Sequence, residues 1–301
     1  MDPKRVIAVI LLCLLPVTGS VQARALAAVA PSQSKPCVGA TGKPTRVVWW
    51  ILENHSYDQA RGHMPYLDAK ADACTTLTDE SAITHPSLPN YLALSGGSTF
   101  GIADDGPPAD YPVDDDSIYQ QLGGDWAAFI QSMPDNCQLS NDSPYLVRHN
   151  PPAYFTPIRS ACGQQDVPYS ELQARLNAGS LPTLTVVVPD KCHDGHKNRC
   201  PGGDTLDGQA QQADDYLASE LPSIIASPQY QSGSLLVVVT FDEGHRDNQV
   251  YTVLLGATVR PGATIDTHLT HYSLLAYVEK LAGVPCLNDA CTAPILAGAG
   301  L

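Results

Sequence analysis

An α/β sandwich on a mainly parallel sheet is the fold this sequence predicts, and two observations predict it. Four short apolar runs, each bounded by polar or turn residues, read as buried strands: Arg46 to Leu52, Thr183 to Val188, Leu235 to Phe241 and Tyr251 to Leu255. Helical patterns fall between and after them, at Pro89 to Leu94, Asp207 to Ile225 and His271 to Ala282. Strands that alternate with helices bury both faces of a parallel sheet under helical layers.

The chain opens on Lys4 and Arg5, then an apolar run from Val6 to Val17, with small residues at Val21-Gln22-Ala23 or Ala28-Val29-Ala30 to suit signal peptidase. Residues 1–30 are therefore expected to be a signal peptide with room for a processed arm, and the protein to be secreted. The run is too short for a comfortable membrane span and nothing later is long and apolar enough, so no stable membrane insertion is expected. Residues 24 to about 44 are rich in Ala, Pro, Ser and Lys, which makes 31–45 a flexible arm ahead of one domain at 46–301. Trp49 and Trp50 lie inside the first strand and read as core.

The turn Thr84-His85-Pro86-Ser87-Leu88-Pro89-Asn90-Tyr91 comes next. Pro86 and Pro89 stiffen it, and Leu88, Leu92 and Leu94 begin an amphipathic pattern, so Ser87 belongs at or near a helix N-terminus. Orphan N–H groups and the helix dipole would hold a phosphate against its hydroxyl there; a serine in that place also serves as an ordinary cap. Gly101 to Gln165 is heavy in Pro, Asp and Gly and reads as loops with short elements, a candidate lid. Gly283 ends the last helix, and there is no internal repeat.

Cys13 leaves with the signal peptide, and the eight remaining cysteines suit four disulfides in an oxidising compartment. Close spacing pairs Cys192 with Cys200 and Cys286 with Cys291, and more weakly Cys137 with Cys162 and Cys37 with Cys74. No Cys-x-x-Cys occurs to suggest a zinc site. The net charge is −14, and loss of Lys4, Arg5, Arg24 and Asp2 with residues 1–30 makes it −16. Such a surface repels nucleic acid and anionic membranes, so an anionic substrate needs a metal ion or local basic groups to meet it.

In a parallel sheet, ligands bind beyond the carboxyl ends of the strands. Glu53-Asn54-His55-Ser56 leaves the first run, Asp190-Lys191-Cys192-His193-Asp194 the second and Asp242-Glu243-Gly244-His245 the third. Carboxylates and an amide carbonyl converging from separate strand ends make a site for a hard divalent cation.

The set Glu53-Asn54-x-Ser56, Ser87-x-Pro89-Asn90, His193-Asp194-Gly195, Asp242-Glu243 and His271-Tyr272, over about residues 46 to 285, resembles the bacterial phosphoesterase family of secreted acid phosphatases and non-haemolytic phospholipases C. The short actinobacterial acid phosphatases show a similar His-Pro-Ser-x-Pro-Asn-Tyr-Leu-Ala-Leu run. The resemblance implies an alkaline-phosphatase-like three-layer α/β/α sandwich whose domain at 46–301 is catalytic. It implies that Glu53, Asn54, Asp242 and Glu243 bind metal and that Ser87 is the nucleophile; related nucleotide pyrophosphatases place a threonine there. His193, with Asp194 beside it, would protonate the leaving oxygen or steady the phosphate, and His271 is a weaker candidate for the same duties. Glu243 stands where many two-zinc members carry His, which favours a single ion, with Ca²⁺, Mg²⁺ or Mn²⁺ ahead of Zn²⁺ on oxygen ligation.

The expected reaction is phosphomonoester hydrolysis through a phosphoserine, on a phosphorylated small molecule or a phospholipid headgroup such as a phosphoinositide. The alternatives are a phosphodiesterase of phospholipase C type, which usually carries a longer C-terminal extension, and a secreted binding protein that has lost catalysis. Among the other histidines, His85 is open to phosphate contact or to simple packing, and His55, His196 and His245 lie close to the motifs. His63, His149 and His268 read as ordinary surface residues.

Overall fold

The computed structural model describes residues 36–196 and 200–301, so the expected signal peptide and the first part of the arm lie outside the described residues. Among the described residues ten strands run β1 (Arg46–Leu52), β2 (Thr75–Leu77), β3 (Glu80–Ser81), β4 (Trp126–Ile130), β5 (Asp166–Pro168), β6 (Leu184–Val188), β7 (Leu235–Phe241), β8 (Thr252–Leu255), β9 (Ala263–Ile265) and β10 (Leu269–Thr270). Eight form one sheet in the order β5-β4-β6-β1-β7-β8-β2-β9, while β3 and β10 pair separately. From β5 to β7 every pairing is parallel; β8 is antiparallel to β7 and to β2, so the sheet is mainly parallel, as the alternating pattern requires.

The four runs read as strands are β1, β6, β7 and β8, each buried along nearly its whole length. Their Val, Ile and Leu content is what a strand covered on both faces needs. Helices Pro65–Ala73 and Leu206–Ile225 pack on each other, as do Ser87–Gly96 and His271–Ala282, giving the helical layers over the sheet. Trp49 and Trp50 are fully enclosed core residues.

Two expectations need correction. The Gly101–Gln165 region does carry short helices and turns, but it also sends β4 into the sheet beside β6, and β5 follows it directly. β4 is Trp-Ala-Ala-Phe-Ile, too short and too alanine-rich for β-propensity to mark it, and β5 ends in Pro168 on the sheet edge, where a missing N–H is tolerated. Nor is the described part of the arm loose. Cys37 is buried and bonded to Cys74, Gly39 and Ala40 donate backbone hydrogen bonds to Val259 and Ala257, and the Tyr230 hydroxyl donates to the Pro36 carbonyl.

All four cysteine pairs expected from spacing are disulfides, with Cα separations of 5.0 to 5.6 Å. One of them, Cys192–Cys200, closes the loop that leaves the end of β6.

Candidate active site

Three neighbouring parallel strands, β6, β1 and β7, bring their carboxyl ends together. Leu52 is in register with Phe241, so the next residues, Glu53 and Asp242, emerge side by side. Backbone bonds fix the junction: Glu53 N–H donates to the Asp194 carbonyl at 2.7 Å, and Asp242 N–H to the Leu52 carbonyl at 2.8 Å. Asn54 turns out of β1 with φ of 48°, a left-handed conformation that Asn tolerates better than most side chains. That turn aims its backbone N–H at Asp242 Oδ1, 3.3 Å away, and its amide Nδ2 at Glu243 Oε1. Ser56 completes the Glu-Asn-x-Ser element by binding the loop after β7, donating to the Asp247 carbonyl and accepting from the Arg246 and Asp247 amides.

Ser87 is the first residue of the Ser87–Gly96 helix, behind the N-cap Pro86, and is 2% exposed. Its hydroxyl makes no cap bond and donates instead to Glu53 Oε2 at 3.0 Å. Asn90 explains the Ser-x-Pro-Asn spacing, because its side chain accepts from the Ile83 and Thr84 amides and donates to the Thr84 and Pro86 carbonyls, clamping the turn that presents Ser87. One helical turn after Ser87, the Tyr91 hydroxyl donates to Glu53 Oε1 at 2.8 Å.

The electrostatics are those of crowded acid groups. Burial holds the Glu53, Asp194 and Asp242 carboxyls above the usual carboxylate range, and the Glu53 charge adds to the rise at Asp194 and Asp242. Burial and then Glu53 push Glu243 up to about 8. Opposing this, His196 and Arg148 draw Glu53 down.

The predicted residues separate into two groups. Glu53, Asn54, Ser87, Asp242 and Glu243 are linked to one another by hydrogen bonds. Asp194 joins them by its carbonyl and through His149, whose Nε2 lies 3.1 Å from Glu53 Oε1 and Nδ1 3.5 Å from Asp194 Oδ2. His149 was expected at the surface, yet it is 2% exposed and stacked on Tyr91, wedged between two buried carboxylates. His193 lies apart: its Nδ1 contacts Asp190 and Gln131 and its ring stacks on Tyr216. Adjacent residues of a turn point different ways, so Asp194 enters the cluster while His193 leaves it. His271 sits behind the cluster with no exposure, its Nε2 2.6 Å from the Asp242 carbonyl, and so braces Asp242 from below.

His85 lies beside Glu243, Nδ1 to Oε2 at 2.9 Å, with its ring half exposed. His55 is buried with a backbone carbonyl at each ring nitrogen and ties the end of β1 to the Leu206–Ile225 helix. A cavity of about 370 Å³ opens beside Asn54, lined also by His196, Asp204, Leu206, Gln209 and His245.

The donor set suits one hard cation. Asp242 Oδ2 and Asn54 Oδ1 are buried with no hydrogen-bond partner, and repulsion among the carboxyls around them leaves an unmet demand for positive charge. Among the described residues one trio of His, Cys, Asp or Glu ligand atoms lies within 4.8 Å of one another, at Cys137, Cys162 and Asp166, but a disulfide occupies both sulfurs. The Glu53 set is looser than that trio and draws on the Asn54 amide oxygen.

The phosphoesterase family model matches residues 65–285. A phosphatidylinositol-3-phosphatase of Mycobacterium tuberculosis is 31% identical over 85% of this chain and 84% of its own length. A probable acid phosphatase of Kluyveromyces lactis is 30% identical over 79% of this chain, and an acid phosphatase of Aspergillus fumigatus 28% identical over 80%. The chain spans 58% and 55% of those two fungal proteins. Among solved structures, an alkaline phosphatase superfamily protein of Vibrio parahaemolyticus superposes with a TM-score of 0.55 at 13% identity, covering 88% of this chain and 73% of that one. A sulfatase of Pseudoalteromonas gives 0.52 at 12% identity, covering 86% and 73%. At such identities these two likenesses speak for the fold alone.

Proposed function

The chain belongs to the phosphoesterase family, hydrolases of phosphoric ester bonds, and from that premise we propose that it is a secreted, metal-dependent acid phosphatase that works through a phosphoserine at Ser87. The observation that carries this reading is the buried Ser87 hydroxyl on Glu53 Oε2, beside the unpartnered Asp242 Oδ2. Glu53 accepts the Ser87 proton as the oxygen attacks phosphorus. The bond from phosphorus to the ester oxygen breaks, and His196, at the cavity beside Asn54, gives the leaving oxygen its proton in the role first assigned to His193. Water, giving its proton to the now-neutral His196, then attacks the phosphoserine; the bond from phosphorus to the Ser87 oxygen breaks, that oxygen takes back the proton held by Glu53, and phosphate leaves. His271 and His149 are positioning residues, bracing Asp242 and holding Glu53 against Asp194.

Glu53, Asn54, Asp242 and Glu243 would hold the ion, and an all-oxygen set favours Ca²⁺, Mg²⁺ or Mn²⁺ over Zn²⁺. When bound, such an ion lowers the pKa of the serine hydroxyl and offsets charge on the phosphoryl oxygens. The name of the mycobacterial relative supports a phosphoinositide headgroup as one substrate. Four disulfides and the signal-like start support secretion, and no helix among the described residues is long and apolar enough to cross a membrane.

The test compares p-nitrophenyl phosphate with bis-p-nitrophenyl phosphate, each with and without chelator. The expected result is chelator-sensitive hydrolysis that favours the monoester. Preference for the diester would replace this reading with a phospholipase C type activity, and turnover of neither would leave a binding protein.

A further inference from the structure

We propose that Arg148 grips the phosphoryl group of the substrate and selects phosphomonoester dianions over diester monoanions. This rests on the phosphatase reading above and names the residue that meets the substrate's charge. The chain carries a net charge of −14, and its site gathers Glu53, Asp194, Asp242 and Glu243, so an incoming dianion meets repulsion that one divalent ion does not fully offset. Arg148 is the lone Lys or Arg between Lys70 and Arg159. Its charge nevertheless reaches Glu53, Asp194 and Glu243.

Its surroundings leave the guanidinium underused. Arg148 sits in the short turn Val147–His149, which packs on the Ser87–Gly96 helix and whose next residue, His149, enters the carboxylate cluster. The side chain is only 20% exposed, and its Nε is buried without a hydrogen bond. Its ionic partner is Asp105 Oδ2 at 3.5 Å, a loose contact. The other Asp105 oxygen accepts the Leu88 N–H at 3.0 Å, one residue past Ser87. Asp105 thus parks the guanidinium beside the helix start that bears the Ser87 hydroxyl. No hydrogen bond to the protein uses its terminal nitrogens among the described residues, and a planar fork with free donors matches two non-bridging oxygens of a phosphate. A monoester dianion offers this cation one more negative charge than a diester, so the gain is larger for the monoester.

The experiment measures kcat and KM of wild type, Arg148→Ala, Arg148→Gln and Arg148→Lys on both nitrophenyl esters, with inorganic phosphate binding followed by calorimetry and melting checked on each sample. Arg148→Ala is expected to lose about 10²-fold in kcat/KM on the monoester and less than about tenfold on the diester, the scale of one lost phosphoryl donor. Its phosphate affinity should fall about tenfold or more, with partial rescue by Lys, which restores the charge without the fork. Equal losses on both esters, or unchanged phosphate affinity, would overturn the assignment. If the Ala variant melts early, Gln keeps the stem in place and carries the same comparison. A wild type inactive on both esters would overturn the phosphatase reading instead, and the phosphate titration would still decide whether Arg148 binds the anion.

Discussion

Ser87→Ala is expected to lower kcat on a phosphomonoester by several orders of magnitude while the protein stays folded, because no covalent phosphoenzyme can form without the hydroxyl. The geometry separates this from loss of a helix cap. A true cap serine replaced by Ala costs about 1 kcal/mol of stability and leaves chemistry alone. Ser87, however, is the first helical residue with its hydroxyl turned to Glu53, so its removal takes one hydrogen bond from a buried acid and none from the helix start. Ser87→Thr should keep part of the activity, since it retains the oxygen and adds a methyl group in a buried place. Turnover, melting temperature and metal content are measured on the same sample. A folded Ser87→Ala variant within about tenfold of wild type, a barrier change of about 1.4 kcal/mol, would contradict the assignment.

Asp242→Asn should cost most of the metal affinity and most of the turnover together, as it keeps the shape of the side chain and removes one charge from the ion's shell. The same substitution should make the chelated protein more stable near neutral pH, since it removes a carboxyl whose ionisation is opposed first by burial and then by the Glu53 and Glu243 charges. The pH dependence follows from the raised pKa values. Glu243 is held up to about 8, so the folded protein resists its ionisation more than the unfolded chain does. The metal-free fold therefore binds more protons than the unfolded state and loses stability as pH rises from the ordinary carboxylate range toward 8. The melting difference between metal-loaded and chelated wild type should accordingly be larger at about pH 8 than at about pH 5, and should shrink in Asp242→Asn. Full activity in exhaustively chelated enzyme would refute the metal assignment.

What the sequence disclosed follows from range. β1, β6 and β7 are continuous apolar runs, and a strand buried on both faces announces itself that way, so the three acidic clusters could be placed at neighbouring strand ends. Asn90 and Ser56 also lay within motifs, and their partners are near turns that the same motifs define. His149 was invisible because its partners, Glu53 and Asp194, come from other strands, and nothing local distinguishes it from a loop histidine. A signal did exist beside it: Arg148 interrupts a long stretch without any other Lys or Arg, in a chain that needs positive charge at its site. His193 lies outside the cluster for the opposite reason. Its neighbour Asp194 does enter the cluster, and pairing the two by adjacency ignored that successive side chains of a turn diverge. β4 was hidden by composition, for two alanines in five residues favour no strand, and only the pairing with β6 makes it one.

In the proposed mechanism the phosphoryl group passes through the Ser87 oxygen. The most direct measurement is an acid quench of the wild-type enzyme during turnover of a phosphomonoester, from the first turnover onward, followed by peptide mapping by mass spectrometry. A phosphoryl group is expected on Ser87 that appears with substrate and disappears when substrate is exhausted. A phosphoryl group on any other residue, or an unmodified Ser87 at every time point while product accumulates, would contradict it.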